Sequence, residues 1–154
     1  TLFVAEARTV DDMLGIIRAR GLWGFDAGAY VLGYDWPAQA QPGQTVSIAS
    51  YWTFLQVPPW ERTVQHDIWN DLLTANGQTV ARANAMGLPE RYWDEGLLLI
   101  QWFDISLPAD LTAGEYMWAT GLTRLHDGSR NRLVDEQGWD IGGAALLGTV
   151  RIGQ

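Results

Sequence analysis

Gln44-Thr45-Val46-Ser47-Ile48-Ala49-Ser50-Tyr51-Trp52-Thr53-Phe54-Leu55 decides the fold class. Successive side chains of a strand point to opposite faces. Val46, Ile48, Ser50, Trp52 and Phe54 therefore share one face, and Thr45, Ser47, Ala49, Tyr51 and Thr53 share the other. The turn Gln41-Pro42-Gly43-Gln44 opens this strand and Pro58-Pro59 closes it. Residues 28–34 read as the preceding strand, broken at Asp35-Trp36-Pro37, because proline has no N–H and restricts the residue before it. Downstream, residues 63–74 form a strand that Asn76-Gly77 returns as a type I′ hairpin. That register sets Thr74 opposite Thr79 and Asp71 opposite Arg82, a cross-strand ion pair. It also puts Val64, His66, Ile68, Asn70 and Leu72 on an inward face with Ala81 and Ala83. Further strands are expected over 97–107, 115–124 and 144–152, with Asp127-Gly128 turning the chain into a return strand over 130–134. Strands do not alternate with helices, and turn signals recur every eight to twelve residues. This is the pattern of an all-β, antiparallel β-sandwich, immunoglobulin-like or jelly-roll-like.

The N-terminal region reads differently. Leu2-Phe3-Val4 suits a short strand. Thr9 is a good N-cap with Asp12 three residues on, and Val10, Met13, Leu14 and Ile17 fall at helical spacing. Arg18 and Arg20 occupy the last turn, where the helix dipole favours cations, and Gly21 suits the C-cap. One short helix is expected over about 10–20, within a segment 1–24 that precedes a sandwich domain over 25–154. A start at Thr1 rather than Met is expected of a processed chain or an excised domain.

Composition bounds the function. The chain has 154 residues, 47% hydrophobic and 18% charged, which excludes disorder and suffices for one core without disulfide or metal. Its longest apolar runs, 97–100 and 144–147, are too short to cross a bilayer, and no basic stretch with an apolar core marks a secretory signal. With no cysteine there is no disulfide framework, thiol nucleophile or thiolate metal site. A formal charge of −8 argues against a nucleic-acid partner. All ten basic residues are arginine, which fits a coding bias. The nine tryptophans serve either as core filling or as platforms for sugar rings.

Three segments together carry a family resemblance. They are Gly33-Tyr34-Asp35-Trp36-Pro37 with Gln41-Pro42-Gly43-Gln44-Thr45-Val46 and Tyr51-Trp52; Trp93-Asp94-Glu95-Gly96; and Leu107-Pro108-Ala109-Asp110-Leu111-Thr112-Ala113-Gly114-Glu115-Tyr116 with Gly121-Leu122 and Leu147-Gly148-Thr149-Val150. In this order they resemble a β-sandwich module appended to bacterial multi-spanning membrane glycosyltransferases and related cell-envelope proteins. The resemblance covers about residues 28–152. It implies an extracytoplasmic accessory domain without catalytic residues that helps to bind or present glycans, attached to or partnered by a membrane-embedded protein. Gly114-x-Tyr116 also resembles the tyrosine corner of immunoglobulin-like sandwiches, with the phenol bonding back near Leu111 and Thr112.

No nucleophile elbow, phosphate loop or dinucleotide fingerprint is present. His66 is expected half-buried and bonded to a neighbour rather than acting as base or ligand, and His126 solvated. No catalytic residue, metal site or cofactor is assigned. A pyranose has apolar C–H faces and a polar rim, so its site needs exposed indoles beside polar groups. Trp36, Trp60, Trp93 and Trp139 lie in loops beside Asp, Glu or Pro and, with Asp35, Asp94 and Glu95, are the ligand-binding candidates. The competing reading is that these tryptophans cap one end of the sandwich. Trp52, Trp69, Trp102 and Trp118 lie within strands and read as core or sheet-face packing. Arg124, Arg130 and Arg132 cluster on the second hairpin, either to meet an acidic glycan or lipid head group or to protect an edge strand. The expected function is a non-catalytic module that binds carbohydrate through loop tryptophans. The alternatives are a structural or protein-interaction domain with its tryptophans in the core, and a small glycoside-acting enzyme using Asp94 and Glu95.

Overall fold

In the computed structural model, which describes residues 2–6, 19–135, 137 and 139–153, two sheets pack face to face. The strands are β1 (Leu2–Glu6), β2 (Ala19–Phe25), β3 (Ala29–Asp35), β4 (Gln39–Ala40), β5 (Thr45–Phe54), β6 (His66–Leu73), β7 (Thr79–Met86), β8 (Leu97–Ser106), β9 (Gly114–Arg124), β10 (Leu133–Val134), β11 (Asp140–Gly142) and β12 (Ala145–Ile152). The larger sheet runs β1-β8-β5-β3-β2-β10-β11 and the smaller runs β4-β12-β9-β6-β7. All neighbours are antiparallel except β12 and β4. Two short 3-10 turns, Pro59–Thr63 and Glu90–Tyr92, follow Pro58 and Pro89, whose fixed φ suits the entry to a turn.

The all-β sandwich expected from the alternation is therefore present. Val46, Ile48, Trp52 and Phe54 from β5 meet Ile68, Leu72, Trp118 and Leu122 from the opposing sheet in one buried core. Burying each of the larger side chains is worth roughly 1.5–3 kcal/mol. The other face of the same sheet departs from simple alternation. Leu32, Ala49, Tyr51, Leu98 and Ile100 form a second buried cluster there, so β5 is covered on both faces over most of its length.

Four details differ from the expected pattern. The helix over 10–20 lies outside the described residues for 10–18, while Ala19 and Arg20 belong to β2. The strand expected from residue 63 begins at His66, because Pro59–Thr63 coils into a 3-10 turn. The Asn76-Gly77 turn is not type I′. Gly77 takes φ +81°, but among the described residues only Gln56 has a positive φ without being glycine, so Asn76 does not. Thr74 N–H donates to Gln78 O and Gly77 N–H to Thr74 O, and the register shifts between Leu72 and Leu73. This is a longer, bulged turn with one left-handed residue where type I′ needs two. Beyond the bulge Asp71 faces Arg82 as expected, with two contacts of 2.6 Å. Finally, the segment after Asp127-Gly128 pairs with β9 only through the isolated Thr123–Arg130 bridge and then crosses to the larger sheet. There Leu133 and Val134 pair with β2.

Candidate functional site

Two regions at opposite ends of β5 carry the polar chemistry. At the Phe54 end a charge centre is sealed inside the sandwich. The 3-10 turns bring Glu61 and Glu90 against the start of β6 and the end of β9. His66 Nε2 lies 2.9 Å from Glu61 Oε2, and His66 Nδ1 lies 3.2 Å from Glu90 Oε1. The same Glu90 oxygen accepts the His66 backbone N–H at 2.5 Å. Arg124 donates to Glu61 through Nε and Nη2, and to Asn131 Oδ1 and Asp26 Oδ1 at 3.1 and 3.3 Å. Burial works against the Arg124 charge, but its hydrogen bond with Glu61 and the charges of Glu61 and Asp26 outweigh that and raise its pKa above the ordinary value. His66, expected to be half-buried, is fully buried.

Two acids thus converge on His66, an arrangement general acid–base chemistry can use when substrate reaches it. Here the side chains of His66, Glu61 and Glu90 are 1%, 0% and 10% exposed. The adjoining internal void is about 10 Å³, scarcely room for one water. A surface depression of about 330 Å³ between Arg62 and Arg91 has His66 and Glu90 in its lining. Among the described residues no group of three or more His, Cys, Asp or Glu is placed to hold a metal ion.

Several expected ligand residues gather around this sealed end. Trp93 is buried, stacked on Phe54 at 4.8 Å and donating Nε1–H to Leu88 O at 2.9 Å, so it caps the core instead of offering a free face. Trp60 is exposed, with Arg124 lying 5.0 Å over its ring. Asp94 pairs with Arg62 at 3.2 Å, and Glu95 accepts Gln56 N–H at 3.2 Å. Trp139 stands apart at the β10–β11 turn, 72% exposed, where its backbone N–H donates to Asp135 Oδ1. The three arginines of the second hairpin are engaged: Arg124 in the charge centre, Arg130 over the Trp69 ring and Arg132 on Asp140.

At the other end of β5 a shallow depression of about 170 Å³ opens where β3 ends and the chain turns away at Pro37. Asp35, Trp36, Pro37, Ser47, Ala49 and Trp102 line it. Trp36 is part-buried, stacked on Tyr34 at 3.6 Å and tilted against Trp118 at 6.0 Å, so its indole packs on the core at the edge of the hollow. Trp102, opposite Ala49 in the β5–β8 register, is 37% exposed and supplies an open indole. Ser47 Oγ donates to Asp104 Oδ1 at 2.5 Å, which places a second carboxylate beside the rim. Asp35 and Trp36 are among the ligand-binding candidates of the sequence, whereas Trp102 reads there as packing because it lies within a strand. The other three strand tryptophans, Trp52, Trp69 and Trp118, are buried as expected.

The two packed sheets define a β-sandwich domain, and comparison with known proteins agrees at that level. No family model matches the chain, and no curated protein does. Among solved structures, the C-terminal domain of wzt superposes with a TM-score of 0.52 at 14% identity, over 90% of this chain and 81% of that one. A CARDB domain from Pyrococcus furiosus, solved in complex with di-metal ions, gives a TM-score of 0.43 at 9% identity, over 88% and 93% of the two chains. The wzt domain shares the fold; the CARDB overlap is too loose to bear on the site. Among the described residues no helix is long and apolar enough to cross a membrane.

Proposed function

We propose that this chain is a non-catalytic accessory β-sandwich module of a glycan-handling cell-envelope protein, working outside the cytoplasm, and that it binds carbohydrate in the depression between Trp36 and Trp102. The observation that carries this reading is the meeting of an open indole, Trp102, with a carboxylate, Asp35, and a serine hydroxyl, Ser47, in one hollow. A pyranose fits that chemistry, with its C–H face on Trp102 and its hydroxyls toward Asp35 and Ser47. At about 170 Å³ the hollow is smaller than the roughly 300–1,000 Å³ of an enclosing small-molecule site, so it suits one ring of a longer glycan. The non-catalytic part of the reading draws on the enclosure of His66, Glu61 and Glu90. The cell-envelope context rests on the sequence resemblance alone.

A protein-interaction role is the second reading. It draws on Leu22, Trp139 and Ile141, which are 68%, 72% and 60% exposed near the β11 edge. Glycan-array screening of the wild type and Trp102→Ala separates the two, followed by titration of tryptophan fluorescence. Sugar binding that the substitution abolishes supports the first reading. An array with no ligand, and fluorescence unchanged by any sugar, refutes it and leaves the second.

A further inference from the structure

We infer that the Trp36–Trp102 depression selects sugars bearing a protonated amine, a de-acetylated hexosamine unit being the simplest, over neutral and acidic sugars. This rests on the carbohydrate-binding reading and narrows it. Among the described residues that line the hollow, the charge is of one sign. Asp35 lines it, and Asp104 holds the Ser47 hydroxyl at its rim. Among the described residues neither carboxylate is in an ion pair, and no arginine lines the hollow.

Among the described residues Arg62 is paired with Asp94, Arg82 with Asp71 and Arg132 with Asp140. An indole face attracts a cation through its ring quadrupole, and an ammonium hydrogen-bonded to a carboxylate is held about twice as strongly as a neutral donor. Trp102 supplies the face, and Asp35 and Asp104 supply the acceptors. A uronic acid or phosphorylated sugar would meet the same two carboxylates as like charges, on a chain whose formal charge is −8. A neutral sugar would stack on the indole without using either charge.

Calorimetric titration of the chain with N-acetylglucosamine oligomers, with the same oligomers after de-acetylation, and with glucuronate-containing oligomers tests the inference. The de-acetylated oligomer should bind about tenfold more tightly than the acetylated one in low salt, and the glucuronate oligomer should not bind. The preference should shrink as salt is raised. It should also shrink in Asp35→Asn and, independently, in Asp104→Asn, whose exposed position leaves the fold intact. Equal or tighter binding of the acetylated oligomer overturns the selectivity while leaving carbohydrate binding in place. Failure of every oligomer to bind removes both.

Discussion

Replacing Arg124 with methionine tests whether the sealed charge centre holds the sandwich together. The substitution keeps a long apolar stem but removes every donor from Glu61 except His66. Glu61 has a fully buried side chain, and Arg124 is 11% exposed. Breaking such a pair by removing one partner costs about 3–5 kcal/mol, chiefly because a charge is left in a low-dielectric interior. Asp26, at 38% exposed, adds little, since solvent screens the loss. For a domain of this size each kcal/mol moves the melting temperature by about 2–4 °C, so the expected fall is roughly 6–20 °C. Urea melts followed by circular dichroism should show a lower midpoint with an unchanged slope. Glu61→Gln placed on Arg124→Met removes the stranded charge and should recover at least half of the loss. A single variant that loses less than about 1 kcal/mol, or a double variant no more stable than the single, would refute the reasoning, because both results would mean that Glu61 is solvated.

Tyr116 donates its phenol to Thr112 O at 2.8 Å, so Tyr116→Phe should cost about 0.5–1.5 kcal/mol in a urea melt and leave the sheet register unchanged. Trp93→Ala should lose about 3–5 kcal/mol by opening a cavity against Phe54, with no effect on sugar binding, measured as thermal stability beside calorimetry. The Asp140 carboxyl lies below the ordinary aspartate value of 3.8, first through its hydrogen bond from Arg132 and then through Gly142 N–H. Its folded pKa is therefore below its unfolded one, so its contribution is full above the unfolded value and is lost as pH falls through the folded value. NMR titration should place its midpoint below 3.8 and Arg132→Gln should move it back up; a midpoint unmoved by the substitution counts against the pair.

Local patterns carried most of the fold into view. The alternation over 44–55 gave the strand and its core face, and Pro58-Pro59 placed its end. The tyrosine corner was readable because both of its partners lie within four residues. The Asn76-Gly77 hairpin was half readable. Its Asp71–Arg82 pairing follows from counting residues, but a type I′ turn and a bulged turn can use the same dipeptide and keep the same distant register. The crossing of β10 to the larger sheet was not readable, because two residues of strand pattern do not name their partner. The charge centre was hidden for the same reason at longer range. Glu61 meets Arg124 across 63 positions, and each stands among polar neighbours that make a solvated turn the natural reading.

Trp102 shows how an exposed indole, here a proposed site residue, escapes a rule that sorts tryptophans by loop or strand. The rule treats strand residues as packed, yet a strand has two faces. β5 and β8 bury both faces around Leu98 and Ile100 but release the outer one at Trp102 and Asp104. The exposed indole is thus set on a paired strand, opposite Ala49, whose small side chain leaves the space the depression occupies. A platform held by a sheet ladder is better placed than one on a loop, since its orientation is fixed before a ligand arrives. The loop tryptophans show the converse. Trp93 is drawn into the core by Phe54, and Trp60, though exposed, has one face against the guanidinium that Glu61 holds. The end of the sandwich richest in loop aromatics and acids thus closes the core around Trp93, and the recognition proposed above falls to the less conspicuous end, where β3 turns away and uncovers its neighbour.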